Sequence, residues 1–172
     1  MSNYTIKIYP DPVLRKISDE VHEINESTRA LIKDMFEIME EEGGIGLAAP
    51  QVGISKRIIV LSLKEKNFEK MALINPVIVS SSKETAFMEE GCLSIPGINA
   101  DVQRSTKLIA RGLTRSGKMV EITASNLLTR VLLHEIDHLD GVLFIDRLSD
   151  KEKKKVEGDL QTLYQQYSTV TP

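Results

Sequence analysis

Three observations in the 172-residue sequence predict an α+β fold, with mostly antiparallel sheets packed around a central helix that carries an HExxH pattern. Two segments place apolar residues at helical spacing, several short β-like runs lie between them, and a polar helical stretch closes the chain. One domain over 1–172 is expected, with 149–172 as a polar C-terminal helix or tail.

In chain order, "YPDPVLRK" gives way to a long N-terminal helix over about 25–42, in which Leu31, Ile32, Met35, Phe36 and Met39 share one stripe. Gly43 and Gly44 end it. The stretch "GIGLAAPQVG" at 44–53 then reads as a compact Gly/Ala connection with one polar side chain, Gln51. Strands are predicted at 57–63 and 72–80, where Pro76 in the second implies an edge position or a bulge. Further strands are predicted at 107–113 and 119–123, separated by the turn signal "RSGK". The second helix should start with Ser125 as N-cap and run to about Leu139, with Gly141 as its stop. The last segment, "SDKEKKKVEGDLQTLYQQY", reads as a polar helix interrupted at Gly158.

Net charge and cysteine usage narrow the function classes. A net charge of -3 and a pI near 5.7 supply no global basic field for gripping DNA. No apolar run is long enough for a signal peptide or a membrane span, so a cytoplasmic protein is expected. The single cysteine, Cys92, fits a reducing compartment and draws attention to its own chemistry.

The chemistry concentrates in "HEIDHLDG" at 134–141. On a helix His134 and His138 lie one turn apart on the same face, so both imidazoles can reach one ion. Glu135 projects about 100° away, near enough to a bound water to carry its proton. The third histidine, His22, sits in "DEVHEIN" and reads as a surface residue. For a third ligand, the metzincin pattern fails because Phe144 stands where its histidine would be. Glu157 would serve a thermolysin-like site, and Cys92 in "EEGCLSIPG" would instead complete a His2Cys set.

Taken together and in this order, "GIGLAAPQVG", "EGCLSIPG" and "HEIDHLDG" resemble the three signature motifs of the bacterial peptide deformylases. The resemblance runs from "YPDPVLRK" to "GVLFIDRLS" and so covers most of the chain. It implies removal of the formyl group from the N-terminal formylmethionine of nascent polypeptides, with Cys92, His134 and His138 holding a divalent metal. The implied ion is Fe(II), with zinc, nickel or cobalt able to occupy the same ligands. Glu135 is implied as proton shuttle, Gln51 and the Leu93 N–H as stabilisers of the oxyanion, and Gly46 as a lining of the approach. Ile45, Glu90, Leu127 and Val131 are the implied substrate-binding residues. A monomer is expected, and the cluster "KEKKK" at 151–155 is either a ribosome contact or a solvated helix face.

One departure stands out. The family usually carries Gln before the first helix histidine, where this chain has Leu133. If that position tunes ligand orientation, the change costs metal affinity or activity about 10- to 100-fold. That departure keeps open a deformylase-like metal-binding protein of reduced or lost activity, and His134 and His138 with a downstream acid keep open an HExxH zinc endopeptidase.

Overall fold

The molecule is described by a computed structural model over residues 4–63 and 70–168. The final four residues of the predicted tail lie outside the described residues.

Helix α1, Glu26–Glu41, starts where the Asn25 side chain accepts the Thr28 N–H at 3.1 Å, and it buries Leu31, Ile32, Met35, Ile38 and Met39. Gly44 N–H donates to the Met39 carbonyl at 2.8 Å and closes the helix end. The following stretch, expected to be a compact Gly/Ala loop, carries regular structure. It contains a short strand, β1 (Gly46–Ala48), and a 3-10 turn over Ala49–Val52 that buries Gln51.

Strands β2 (Ile58–Leu61), β3 (Met71–Ser81), β6 (Lys107–Leu113) and β7 (Met119–Ser125) join β1 in an antiparallel sheet of order β1-β2-β3-β6-β7. β3 is thus interior, and the edge alternative for Pro76 is replaced by the bulge. The register shifts between Ile74 and Val77, just beyond the last β2 pair at Ile58/Ile74. There β2 no longer needs a donor, so the missing proline N–H disturbs no bond on that side. Asn75 in the same bulge has φ of 51° and pairs its amide with both backbone groups of Val21 at 2.9 Å.

Strands β4 (Thr85–Cys92) and β5 (Ile95–Ser105) form a separate hairpin whose register shifts between Glu90 and Cys92. Helix α2, Asn126–Leu139, lies against the five-stranded sheet through Leu128, Val131, Leu132, Ile136 and Leu139. Its N-cap is Ser125 as predicted, although the serine side chain makes no capping bond. Gly141 (φ 70°) stops it, and a Cβ there would strike the Arg15 backbone carbonyl.

Helix α3, Asp150–Ser168, runs through Gly158 without a break. A helical glycine costs about 1 kcal/mol relative to alanine. Burial of Val156 and Leu163 against Leu14, Phe144 and the β5 residues outweighs that. No helix among the described residues is long and apolar enough to cross a membrane.

Candidate metal centre

His134 and His138 come from α2, and Cys92 comes from the turn end of the β4–β5 hairpin. Their ligand atoms all lie within 4.8 Å of one another, with Cys92 Sγ 3.3 Å from His138 Nε2. An ion at ordinary Zn–S and Zn–N lengths separates tetrahedral S and N donors by roughly 3.5 Å, so this spacing fits a bound cation. Phe144, which removed the metzincin reading, stacks its ring on His134 with centroids 6.2 Å apart. Glu157 is exposed on α3, in a different groove beside Tyr9 and Tyr164, and is not part of this cluster. His22 is exposed, as expected.

Around the three donors the site is buried and charged. Glu135 is 4% exposed and its Oε2 has no hydrogen-bond partner among the described residues. Burial pushes its carboxyl up to about 7, with the charge of His134 opposing the rise. An unpartnered carboxylate oxygen in an enclosed site asks for a water or a proton. A Cβ on Gly46 would collide with Glu135 Oε1 and Val131, so only glycine lets this carboxylate sit where it does.

His134 Nδ1 lies 3.0 Å from Glu90 Oε2. Burial pulls the His134 imidazole down, but hydrogen bonds to Cys92 and Glu90 overcome it and raise it to about 10. The negative groups that attract this proton would attract a cation in its place, and metal binding would then release the proton. His138 is driven well below its ordinary value, first by burial and then by the charge of His134. It is therefore neutral, the form in which an imidazole nitrogen can bind a metal.

Of the eleven candidate residues, ten line one cavity of about 630 Å³: Ile45, Gly46, Gln51, Glu90, Cys92, Leu93, Leu127, Val131, His134 and Glu135. His138 is not among the lining residues and is 1% exposed. Gln51 Oε1 accepts the Ala48 N–H at 2.8 Å, which turns its amide toward Cys92 Sγ at 3.4 Å and Ser94 Oγ at 3.2 Å. Ile45 is 44% exposed at the rim, whereas Val131 is buried and Leu127 half-buried against the sheet.

Glu90, expected to contact substrate, lines the cavity with a carboxylate that is already engaged. Its carboxylate takes four hydrogen bonds, from Arg104 Nε (2.7 Å) and Nη2 (3.0 Å), Arg130 Nη1 (2.7 Å) and His134 Nδ1 (3.0 Å). These ion pairs and hydrogen bonds hold it down to about 2 against the opposing effect of burial. No lone pair is left for a ligand. Leu133 is half-buried and packs against the apolar cluster that α2 shares with the sheet.

Sequence reasoning missed Arg104, Arg130 and Asp137. A signal existed for Arg104: β5 buries Ile98, Ala100, Val102 and Arg104 in strict alternation, so a charge occupies an inward position. Such a residue needs a buried partner.

Three convergent donors that could hold a divalent ion stand beside a groove, and the class this arrangement defines is the metal-binding hydrolases. The sequence profile of the polypeptide deformylase family matches residues 3–154, and the chain belongs to that family of enzymes. It is 48% identical to the peptide deformylase of Thermodesulfovibrio yellowstonii over 164 residues, covering 94% of this chain and 99% of the relative. It is 52% identical over 143 residues to the peptide deformylase of Acidobacterium capsulatum, covering 82% and 84% of the two chains. The crystal structure of Plasmodium falciparum peptide deformylase superposes with a TM-score of 0.92 at 39% identity, over 98% of this chain and 99% of that one.

Proposed function

We propose that this enzyme removes the N-formyl group from formylmethionine at the start of nascent polypeptides and releases formate. The observation that carries the reading is the convergence of Cys92, His134 and His138 beside the unpartnered carboxylate of Glu135. The three would hold one divalent ion, Fe(II) physiologically and zinc, nickel or cobalt by substitution. When bound, the ion supplies Lewis acidity and lowers the pKa of water toward neutrality.

The chain's own groups do the rest. Glu135 accepts the proton of the attacking water and delivers it to the departing amine. Its carboxyl is held near neutrality, where it can do both. The Gln51 amide and the Leu93 backbone N–H face the charge that builds on the formyl oxygen, and such a donor is typically worth about 3 to 4 kcal/mol. Ile45, Leu127 and Val131 form the apolar slot for the methionine side chain, while Glu90 acts through His134 and not on substrate.

The enzyme works as a cytoplasmic monomer in this reading. Transient contact with the ribosome would fall to the lysines of α3, although Glu152 and Lys155 pair with each other at 2.5 Å and leave a mixed, weakly basic face. The endopeptidase alternative loses its support, because Glu157 is far from the ligand cluster in the fold.

Formate release from a formyl-Met tripeptide, with anaerobic Fe(II)-loaded protein, tests the proposal. The expected outcome is rapid release that is abolished by Cys92→Ala and by Glu135→Ala. Stoichiometric Fe(II) binding without formate would overturn it in favour of an inactive metal-binding protein.

A further inference from the structure

Two apolar clusters meet at the metal centre without merging. One packs α2 against the five-stranded sheet and includes no residue of β4 or β5. The other gathers Ile95, Ile98, Ala100 and Val102 of β5 with Leu14, Phe144 and α3, has Cys92 packed against it, and includes no residue of α2. The thiol therefore packs with the second cluster and the helix that carries the imidazoles with the first, with Phe144 stacked on His134 where they meet. Apolar packing is non-directional and sets no ångström-level distance between them.

A buried ionic network spans the gap. Arg104 of β5 holds both oxygens of Glu90 on β4, and its Nη1 donates to Asp137 Oδ2 on α2 at 2.7 Å. Asp137 directly precedes His138, and its carboxylate is also held by Arg147 at 2.8 Å. In the reverse direction Arg130 of α2 reaches the carbonyls of Ala86 and Val102, each at 2.8 Å. Side chains of Arg104 and Glu90 are only 5% and 4% exposed, so solvent does not loosen these contacts.

We infer that Arg104 is a positioning residue of the metal centre: by gripping Glu90 and Asp137 at once it fixes the distance from the Cys92 thiol to the imidazoles of His134 and His138. The planar fork of arginine meets both oxygens of Glu90 and one of Asp137 from three nitrogens in one rigid geometry, which the flexible, compact ammonium of lysine does not reproduce. This inference rests on the proposed reading of those three residues as metal ligands.

The test uses Co(II)-substituted protein and two readouts, the thiolate-to-cobalt charge-transfer absorption and the rate at which cobalt passes to a chelator. Arg104→Lys should keep its far-UV circular dichroism and a cooperative melt, lose cobalt about 10- to 100-fold faster, and show a weakened thiolate band. A folded Arg104→Lys protein with the wild-type rate and band overturns the inference. Should this variant not fold, Asp137→Asn removes the charge from only the helix end of the clamp, weakening its hold there, and should accelerate cobalt loss in the same direction. An unchanged rate in folded Asp137→Asn, or failure of both variants to fold, also overturns it, since the network would then hold the fold and not the ligand set. Absence of a thiolate band in the wild-type protein would instead remove the metal-ligand reading itself.

Discussion

Helix α2 is attached to the molecule in two different ways. Toward the five-stranded sheet it presents Leu128, Leu132, Ile136 and Leu139 to an apolar cluster. Toward the β4–β5 hairpin it presents Arg130 and Asp137 to buried partners. The first attachment gains free energy in proportion to area and tolerates small shifts. The second is directional and loses much of its worth when one partner is removed, because the other is left buried and uncompensated. Stability is thus concentrated on one face of the helix, and the geometry of the candidate cluster on the other.

That contrast can be broken in order of expected effect. Leu132 is fully buried, and Leu132→Ala should lower unfolding free energy by about 2 to 5 kcal/mol in chemical denaturation. Formate release per folded molecule should stay near wild type below the transition. A large loss of specific activity in protein that is still folded would mean that the apolar face also sets the site.

The ionic face should respond to acid. The Glu90 carboxyl is held at about 2, below its ordinary 4.5, so the stabilisation it contributes is complete above about pH 4.5 and is lost as pH falls through 2. The shift corresponds to about 3 kcal/mol. The stability gap between metal-free wild type and Glu90→Gln should therefore narrow steadily on acidification from pH 5 toward 2. A gap that stays constant over this range would remove the ionic account of this face.

Leu133 sharpens the comparison with the smallest effect. Its side chain packs with the sheet cluster, so Leu133→Gln should cost about 1 kcal/mol of stability. Formate release should change by less than the roughly tenfold expected of a group that tunes a metal ligand. A rise of tenfold or more would show that position 133 reaches the metal centre after all.

How much of this was legible in the sequence follows the same division. The ends of α1 and α2 were readable to about one residue, because periodic apolar residues, the Asn25 cap and the glycines all act locally. β6 matched its predicted span for the same reason. β4 escaped notice: the first five of its eight residues are exposed, and its sequence, "TAFMEEGC", alternates in no useful way. The members of the candidate cluster, Cys92, His134 and His138, were readable from the three motifs. Their supporting charges were not, since Arg130 and Glu90 stand 40 positions apart and meet only once the hairpin has folded onto the helix. Only the inward alternation of β5 marked Arg104 as unusual.

The extended segment ahead of Leu14 carries one last consequence. Lys7 N–H donates to the Gln51 carbonyl at 2.7 Å, and two residues on, Tyr9 N–H donates to the Ser94 carbonyl at 2.8 Å. A single strap thereby ties the turn bearing the Gln51 amide to the turn that follows Cys92. Alternate residues of an extended chain are about 6.6 Å apart, so deleting one residue between these two anchors would pull both turns at once. For anyone grafting labels or extra sequence onto this protein, the solvent-facing turn at 115–118 is a safer place than the strap, where a change in length would register in the catalytic groove.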